Sequence, residues 1–296
     1  MRGRVRELSH IALFGLTALS LLFPLTGANA DDTCGGLDQP CKIRSGKYSF
    51  AAPTEPPGPH GYPAVVHLHG WSSSPKAVLG NDRFVQDVTS RGYVLIAPFG
   101  EVQPSGRRDW SVADGQTRPR RDDIAFLANV IEDAAKRLNV DKSRVLLSGF
   151  SRGGSMVWDV ACQAPGTFNG YAPVGGGFWN PLPNSCEAPV KLFHTHGWVD
   201  ATVPLEGRRL GNSGLVQGDI FEGLNILKRT NGCRRRASER TNNGNKWVRT
   251  WRSCSEDSEL RLMLHPRGHI TPEGWTDMAL DWFETVNSPE RRAETR

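Results

Sequence analysis

Gly149-Phe150-Ser151-Arg152-Gly153 sets a serine between two glycines, directly after the apolar run Val145-Leu146-Leu147 and directly before a helix-like pattern. A serine at such a junction suits nucleophilic attack. The tight strand-to-helix bend lifts its hydroxyl clear of the sheet, and the glycines leave room where a side chain would strike neighbouring backbone. Amides at the start of the following helix favour negative charge at the same point, which acyl transfer generates. A phosphate-binding loop would instead read G-x-x-x-x-G-K-[ST] or G-x-G-x-x-G, and neither occurs here.

A serine is a poor nucleophile at neutral pH without a base and a group to orient that base. In sheets that carry a nucleophile on such a bend, the acid and then the histidine follow later strands. Val190-Lys191-Leu192-Phe193 is followed by His194-Thr195-His196-Gly197-Trp198-Val199-Asp200, which puts Asp200 just past a strand end. Leu260 to Leu264 is followed by His265-Pro266-Arg267-Gly268-His269. His265 still belongs to the strand end, so His269, in the loop, is the expected base. The oxyanion would be held by two backbone amides: that of Arg152, next after the serine, and that of Trp71, in the loop His67-Leu68-His69-Gly70-Trp71. Trp71, Trp198 and Trp179 are candidate aromatic walls for substrate. The pairs His67/His69 and His194/His196 stand at strand period and offer a rival reading as metal ligands. A catalytic metal would also want a carboxylate or a third histidine, and each His-Gly is accounted for as a close-approach turn. No metal and no cofactor are expected.

The elements that must hold these groups follow from hydrophobic pattern. Ala64–Leu68, Val94–Ala97, Arg144–Leu147, Val190–Phe193 and Leu260–Leu264 are short runs apolar on both faces, as in the strands of a covered parallel sheet. Ile124, Leu127, Ala128, Ile131, Ala135 and Leu138 recur at helical spacing, with Asp122-Asp123 complementing the dipole at the start. Further helices are predicted after Ser151, near Leu224 and over Pro272–Val286. This alternation over residues 31–296 implies one α/β domain with a mostly parallel central sheet flanked by helices. The segments Trp179–Cys186 and Glu206–Gly218 are read as surface insertions that could border a pocket.

Residues 1–30 read as a signal peptide: a basic start, the apolar run Ile11–Leu25, and Ala28-Asn29-Ala30 as the cleavage pattern. The chain is therefore expected outside the cytoplasm, in periplasm or medium, and without a membrane partner once the leader is gone. The net charge of +5 includes Arg2, Arg4 and Arg6, which leave with it. Arg234-Arg235-Arg236 is expected in a solvated loop, and no nucleic-acid partner is expected. Six cysteines, Cys34, Cys41, Cys162, Cys186, Cys233 and Cys254, all lie after the leader. In an exported chain they imply disulfides. Fifteen connectivities are open, of which neighbour pairing is the simplest.

Together V-V-H-L-H-G, D-D-I-A-F-L, S-R-V-L-L-S-G-F-S-R-G-G-S-M and H-T-H-G-W-V-D-A-T-V-P resemble the secreted polyhydroxybutyrate depolymerase-like esterases, a family with feruloyl and acetylxylan esterase relatives. The resemblance spans about Ser45 to His269. It implies an α/β-hydrolase fold and carboxylic ester hydrolysis through an acyl-serine, with Ser151, Asp200 and His269 as the triad. It also takes in Cys162, Cys186, Cys233 and Cys254, which supports Cys162–Cys186 and Cys233–Cys254, while Cys34–Cys41 follows from neighbour pairing alone. Where the family has a Gly-rich loop after H-G, this chain has Trp71-Ser72-Ser73-Ser74. With no linker or polymer-binding module in view, hydroxyalkanoate oligomers or polysaccharide-linked esters are the expected substrates. The alternatives are a serine peptidase with the same triad and a non-catalytic binding protein on the same scaffold.

Overall fold

The computed structural model describes Met1, residues 34–115, 121–255 and 257–288, and Arg291. The expected leader and its cleavage pattern lie outside the described residues, apart from Met1. Thr33–Arg296 makes one compact unit. Its elements run β1 (Cys41–Ile43), β2 (Gly46–Ala51), β3 (Tyr62–Leu68), α1 (Pro75–Leu79), α2 (Asp82–Thr89), β4 (Val94–Pro98), β5 (Glu101–Val102), β6 (Arg108–Asp109) and α3 (Asp123–Leu138). Then come β7 (Val140–Phe150), α4 (Arg152–Gln163), β8 (Gly170–Val174), β9 (Lys191–Gly197), β10 (Arg208–Arg209), β11 (Val216–Gln217) and α5 (Ile220–Thr230). The last four are β12 (Glu239–Asn243), β13 (Lys246–Trp251), β14 (Glu259–His265) and α6 (Trp275–Val286).

Ten strands form one sheet in the order β1-β2-β4-β3-β7-β8-β9-β14-β13-β12. The inner strands from β4 to β14 pair in parallel, and the strands at both margins pair antiparallel. The chain thus has the α/β-hydrolase fold, a mostly parallel sheet with helices on both faces. Each face carries its own apolar layer. Val66, Leu68, Ile96 and Leu147 point to the side of α3 and α4, while Val65, Leu95, Leu146 and Phe193 point to the side of α2 and α6. This period-2 division explains why the strands read as unbroken apolar runs.

Local signals set the helix ends. Asp122 caps α3, its side chain accepting the Ala125 amide at 3.0 Å, and Asn139 ends it in a left-handed turn at φ 53°. The last helix starts at Trp275 rather than Pro272, with Gly274 at φ 71° before it. Glu206–Gly218 contains the small ribbon β10–β11, and Gln217 also bridges to Trp179, so the two expected insertions touch. All six cysteines are paired, as Cys34–Cys41, Cys162–Cys186 and Cys233–Cys254. Among the described residues no helix is long and apolar enough to cross a membrane.

Candidate active site

Ser151 sits between the end of β7 and the start of α4 with φ 58° and ψ −122°, a left-handed conformation that L-residues avoid. The surroundings enforce it. The Ser151 amide donates to the Val174 carbonyl at 2.9 Å, and its carbonyl accepts from the Ser155 amide at 2.9 Å. Both flanking glycines are sterically required. A Cβ on Gly149 would lie 2.6 Å from the Gly153 carbonyl oxygen, and one on Gly153 would strike the carbonyls of Leu68 and His69. The bend is therefore clamped between β3 and β8, and α4 directs its first amides at the serine.

Asp200 lies three residues beyond β9, in a turn that its own carboxylate organises. Oδ1 accepts from the amides of Thr202 at 2.9 Å and Val203 at 2.8 Å. Oδ2 accepts from His269 Nδ1 at 2.7 Å. Burial alone would raise this carboxyl, but the hydrogen bonds from His269 and Val203 and the neighbouring histidines overbalance it and hold it below the ordinary range. The His269 ring packs on Phe150, the residue before Ser151, with centroids 4.7 Å apart. Its edge also lies against Gly175, where an added Cβ would sit 3.4 Å from Nδ1. With Nδ1 engaged by the carboxylate, Nε2 is the nitrogen left to receive a proton. The competing His265 is buried at the end of β14, where its Nδ1 accepts from the Arg267 amide at 3.3 Å.

The two His-x-His pairs are built into hydrogen-bond networks. His69 donates from Nδ1 to the Gly70 carbonyl at 2.8 Å and accepts from the Gly100 amide at Nε2, 3.0 Å. His67 Nδ1 lies 2.9 Å from Ser148 Oγ. On β9 the pair belongs to a chain whose proton positions are fixed by its ends. The Val203 carbonyl accepts only, so His196 donates to it from Nε2 at 2.7 Å. Nδ1 of His196 is then an acceptor for His194 Nε2 at 3.0 Å, and His194 Nδ1 accepts from the Trp158 indole at 3.3 Å. Burial holds both imidazoles below their ordinary pKa, so both are neutral. His196 Nε2 is also 3.5 Å from Asp200 Oδ2. The chain thus links α4, which follows the serine, to the turn that carries Asp200.

A second network, not anticipated from the sequence, holds the loop after β3. The Trp110 indole donates to the His69 carbonyl at 2.8 Å. Arg152 is buried and pairs with Asp109 at 2.9 Å and Asp114 at 3.0 Å, with its guanidinium 4.6 Å from the Trp179 ring centroid. Asp159, about two turns further along α4, accepts the Ala113 amide at 2.8 Å. Burial pushes Asp159 up to about 7, against the pull of that amide and of Arg152. Through these ties Gly70 is seated at the bend: a Cβ there would lie 3.5 Å from the Ser151 Cβ. Trp71 follows Gly70 in the chain and Arg152 follows Ser151.

The three tryptophans differ. Trp71 and Trp198 are more than half exposed, at 53% and 57%, and can meet a ligand. Trp179 is buried, donating its indole N–H to Ser155 Oγ at 3.1 Å, so it acts mainly as packing beneath the site. A cavity of about 820 Å³ opens beside Gly70 and Phe150, lined also by His67, His265 and Ile270; Ser151, Asp200 and His269 are not among its lining residues.

The α/β-hydrolase fold here carries, at one edge of its sheet, a serine at positive φ and a hydrogen-bonded carboxylate–histidine pair. No family model matches the chain. The chain is 26% identical over 276 residues to a probable feruloyl esterase C of Aspergillus niger, covering 88% of this chain and 90% of that protein. It is 27% identical over 218 residues to a bifunctional acetylxylan esterase/xylanase of Neocallimastix patriciarum, covering 70% of this chain but only 28% of that larger protein. Among solved structures, an acetyl xylan esterase from Aspergillus awamori superposes with a TM-score of 0.62 at 16% identity, over 80% of this chain and 93% of that one.

Proposed function

We propose that this chain is an exported serine esterase that cleaves carboxylic esters through an acyl-enzyme on Ser151, with polysaccharide-linked acyl groups as substrates. The observation that carries the reading is the 2.7 Å bond from His269 Nδ1 to Asp200 Oδ2, set at the sheet edge where Ser151 is held at positive φ. The relatives named above add weight to the choice of feruloyl or acetyl esters over hydroxyalkanoate oligomers. Their names give feruloyl esters for one and acetylxylan for the other.

In this mechanism Ser151 Oγ attacks the ester carbonyl carbon as its proton passes to His269 Nε2. Asp200 holds the ring in the tautomer with Nδ1 protonated and stabilises the imidazolium. The carbonyl oxygen becomes an oxyanion, received by the Arg152 and Trp71 amides. Collapse breaks the bond to the alcohol oxygen, which leaves with the proton from Nε2. Water then attacks the acyl-serine by the same route and releases the acid. Side-by-side turnover of methyl ferulate, acetylated xylan and a hydroxybutyrate trimer tests the substrate choice. Methyl ferulate or acetylated xylan is expected to give the higher kcat/KM, and a hydroxybutyrate trimer cleaved faster than both would refute it.

A further inference from the structure

One surface feature lies outside the proposed active site and has no role in its chemistry. Between α5 and the outer strands runs a cleft of about 480 Å³. Its floor comes from alternate residues of β13, Trp247, Arg249 and Trp251, which share one face of the strand. Its rim is basic: Lys228 from α5, then Arg235, Arg236 and Arg240. Among the described residues no acidic side chain lines it.

The arrangement is unfavourable for the empty protein. Arg240 stands directly opposite Arg249 across the β12–β13 ladder, and like charges in that position destabilise a sheet. The guanidinium of Arg249 lies 3.8 Å from the Trp247 ring centroid, and the Lys228 ammonium 5.2 Å from that of Trp251. Burial first, and then the neighbouring cations Arg235 and Arg240, lower the pKa values of Lys228 and Arg249. Among the described residues none of these five cations forms an ion pair. The nearby Glu239 is instead engaged by Arg252 at 2.9 Å. An anionic ligand would relieve this repulsion.

Two features say which anion. The indoles are half-buried flat platforms, as suits the apolar face of a sugar ring or a base. Trp198, two residues before Asp200, meets Trp247 of the cleft edge to face with centroids 6.4 Å apart. We propose that the cleft binds a polysaccharide bearing uronate carboxylates, with Arg235, Arg236, Arg240 and Arg249 pairing with the carboxylates and Trp247 and Trp251 stacking on the sugars. The choice of a saccharide rests on the esterase reading. The preference for an anion does not.

The test is binding of oligogalacturonate to the whole chain, against the same oligomer with its carboxylates reduced to alcohols. Titration is followed by tryptophan fluorescence at low and high salt. Oligogalacturonate is expected to bind about tenfold or more tightly than the neutral oligomer, and that advantage should shrink as salt screens the charges. Arg236→Gln/Arg240→Gln, at two exposed positions, is expected to erase the difference without lowering the melting temperature. Trp247→Ala is expected to weaken both oligomers. Equal binding of the charged and reduced oligomers overturns the proposal, and so does an unchanged preference in the double variant. Tighter binding of an oligothymidylate of equal charge would assign the cleft to single-stranded nucleic acid instead. Hydrolysis of 4-nitrophenyl acetate by the wild type, run in parallel, reports on the esterase reading alone, since the binding arms need no turnover.

Discussion

At Asp200 one carboxylate meets two demands with two oxygens. Oδ1 closes its own turn on the amides of Thr202 and Val203, and Oδ2 orients His269. In Asp200→Asn an amide that turns its oxygen to those two backbone donors presents an NH₂ group to His269. The ring must then accept at Nδ1 and carry its proton on Nε2, the wrong nitrogen for a base. Turnover of 4-nitrophenyl acetate is expected to fall by about 10⁴ in kcat with KM little changed. A loss of less than about tenfold would mean that His269 is oriented by something else. Gly153 makes the steric counterpart. The carbonyls of Leu68 and His69 leave no room for a Cβ, and both are fixed backbone. Gly153→Ala is expected to cost about 3 kcal/mol in denaturant unfolding, at the upper end for overpacking.

The elements contribute through polar networks that span them. The Trp158–His194–His196–Val203 chain braces the Asp200 turn from β9 and α4, without touching substrate. His196→Ala should loosen the turn and lower kcat by about ten- to a hundredfold, with KM nearly unchanged. His196→Gln, whose amide can still donate to the Val203 carbonyl, should recover part of that loss. A purely structural role would instead lower the melting temperature alike in both variants without this split. On α4, Asp159 gives a pH signature. Its ordinary value of 3.8 is pushed to about 7 in the fold, so the folded state keeps a proton that the unfolded chain has lost between those values. Stability from this group therefore declines as pH rises from about 4 through about 7. Asp159→Asn, which can still accept the Ala113 amide, should gain stability relative to wild type across that window in thermal melts. A gap that stays constant with pH would contradict the shift. These networks also mark what the sequence could not show. The five strands expected from apolar runs all form, because both faces of each are covered. β8 escaped notice because Gly170 and Pro173 interrupt its pattern, and Glu239–Asn243 because an edge strand of polar residues has none. Ser151, Asp200 and His269 stood out by lying just past strand ends. Arg152 with Asp109 and Asp114 did not, since pairs formed across tens of residues leave no local period.

For the whole molecule the three disulfides suit the export that we propose. Cys162–Cys186 ties the end of α4 to the segment before β9, closing a loop of 24 residues. Cys162→Ala/Cys186→Ala is expected to lose about 3 kcal/mol of unfolding free energy under oxidising conditions. The charge pattern divides the surface in a way that the net value of +5 hides. Arg235 and Arg236, expected in a solvated loop, line a defined cleft with two tryptophans. At this scale the reading is of a sheet-edge catalyst whose outer strands could hold the polymer that bears the ester. Its central claim is that Ser151 is the nucleophile, and labelling tests it most directly. Wild-type protein treated with a fluorophosphonate is expected to gain one adduct, on the peptide containing Ser151, and to lose hydrolysis of 4-nitrophenyl acetate in step. Ser151→Ala should neither label nor turn over while melting as the wild type does. An adduct on another residue, or wild-type turnover in Ser151→Ala, would contradict the account.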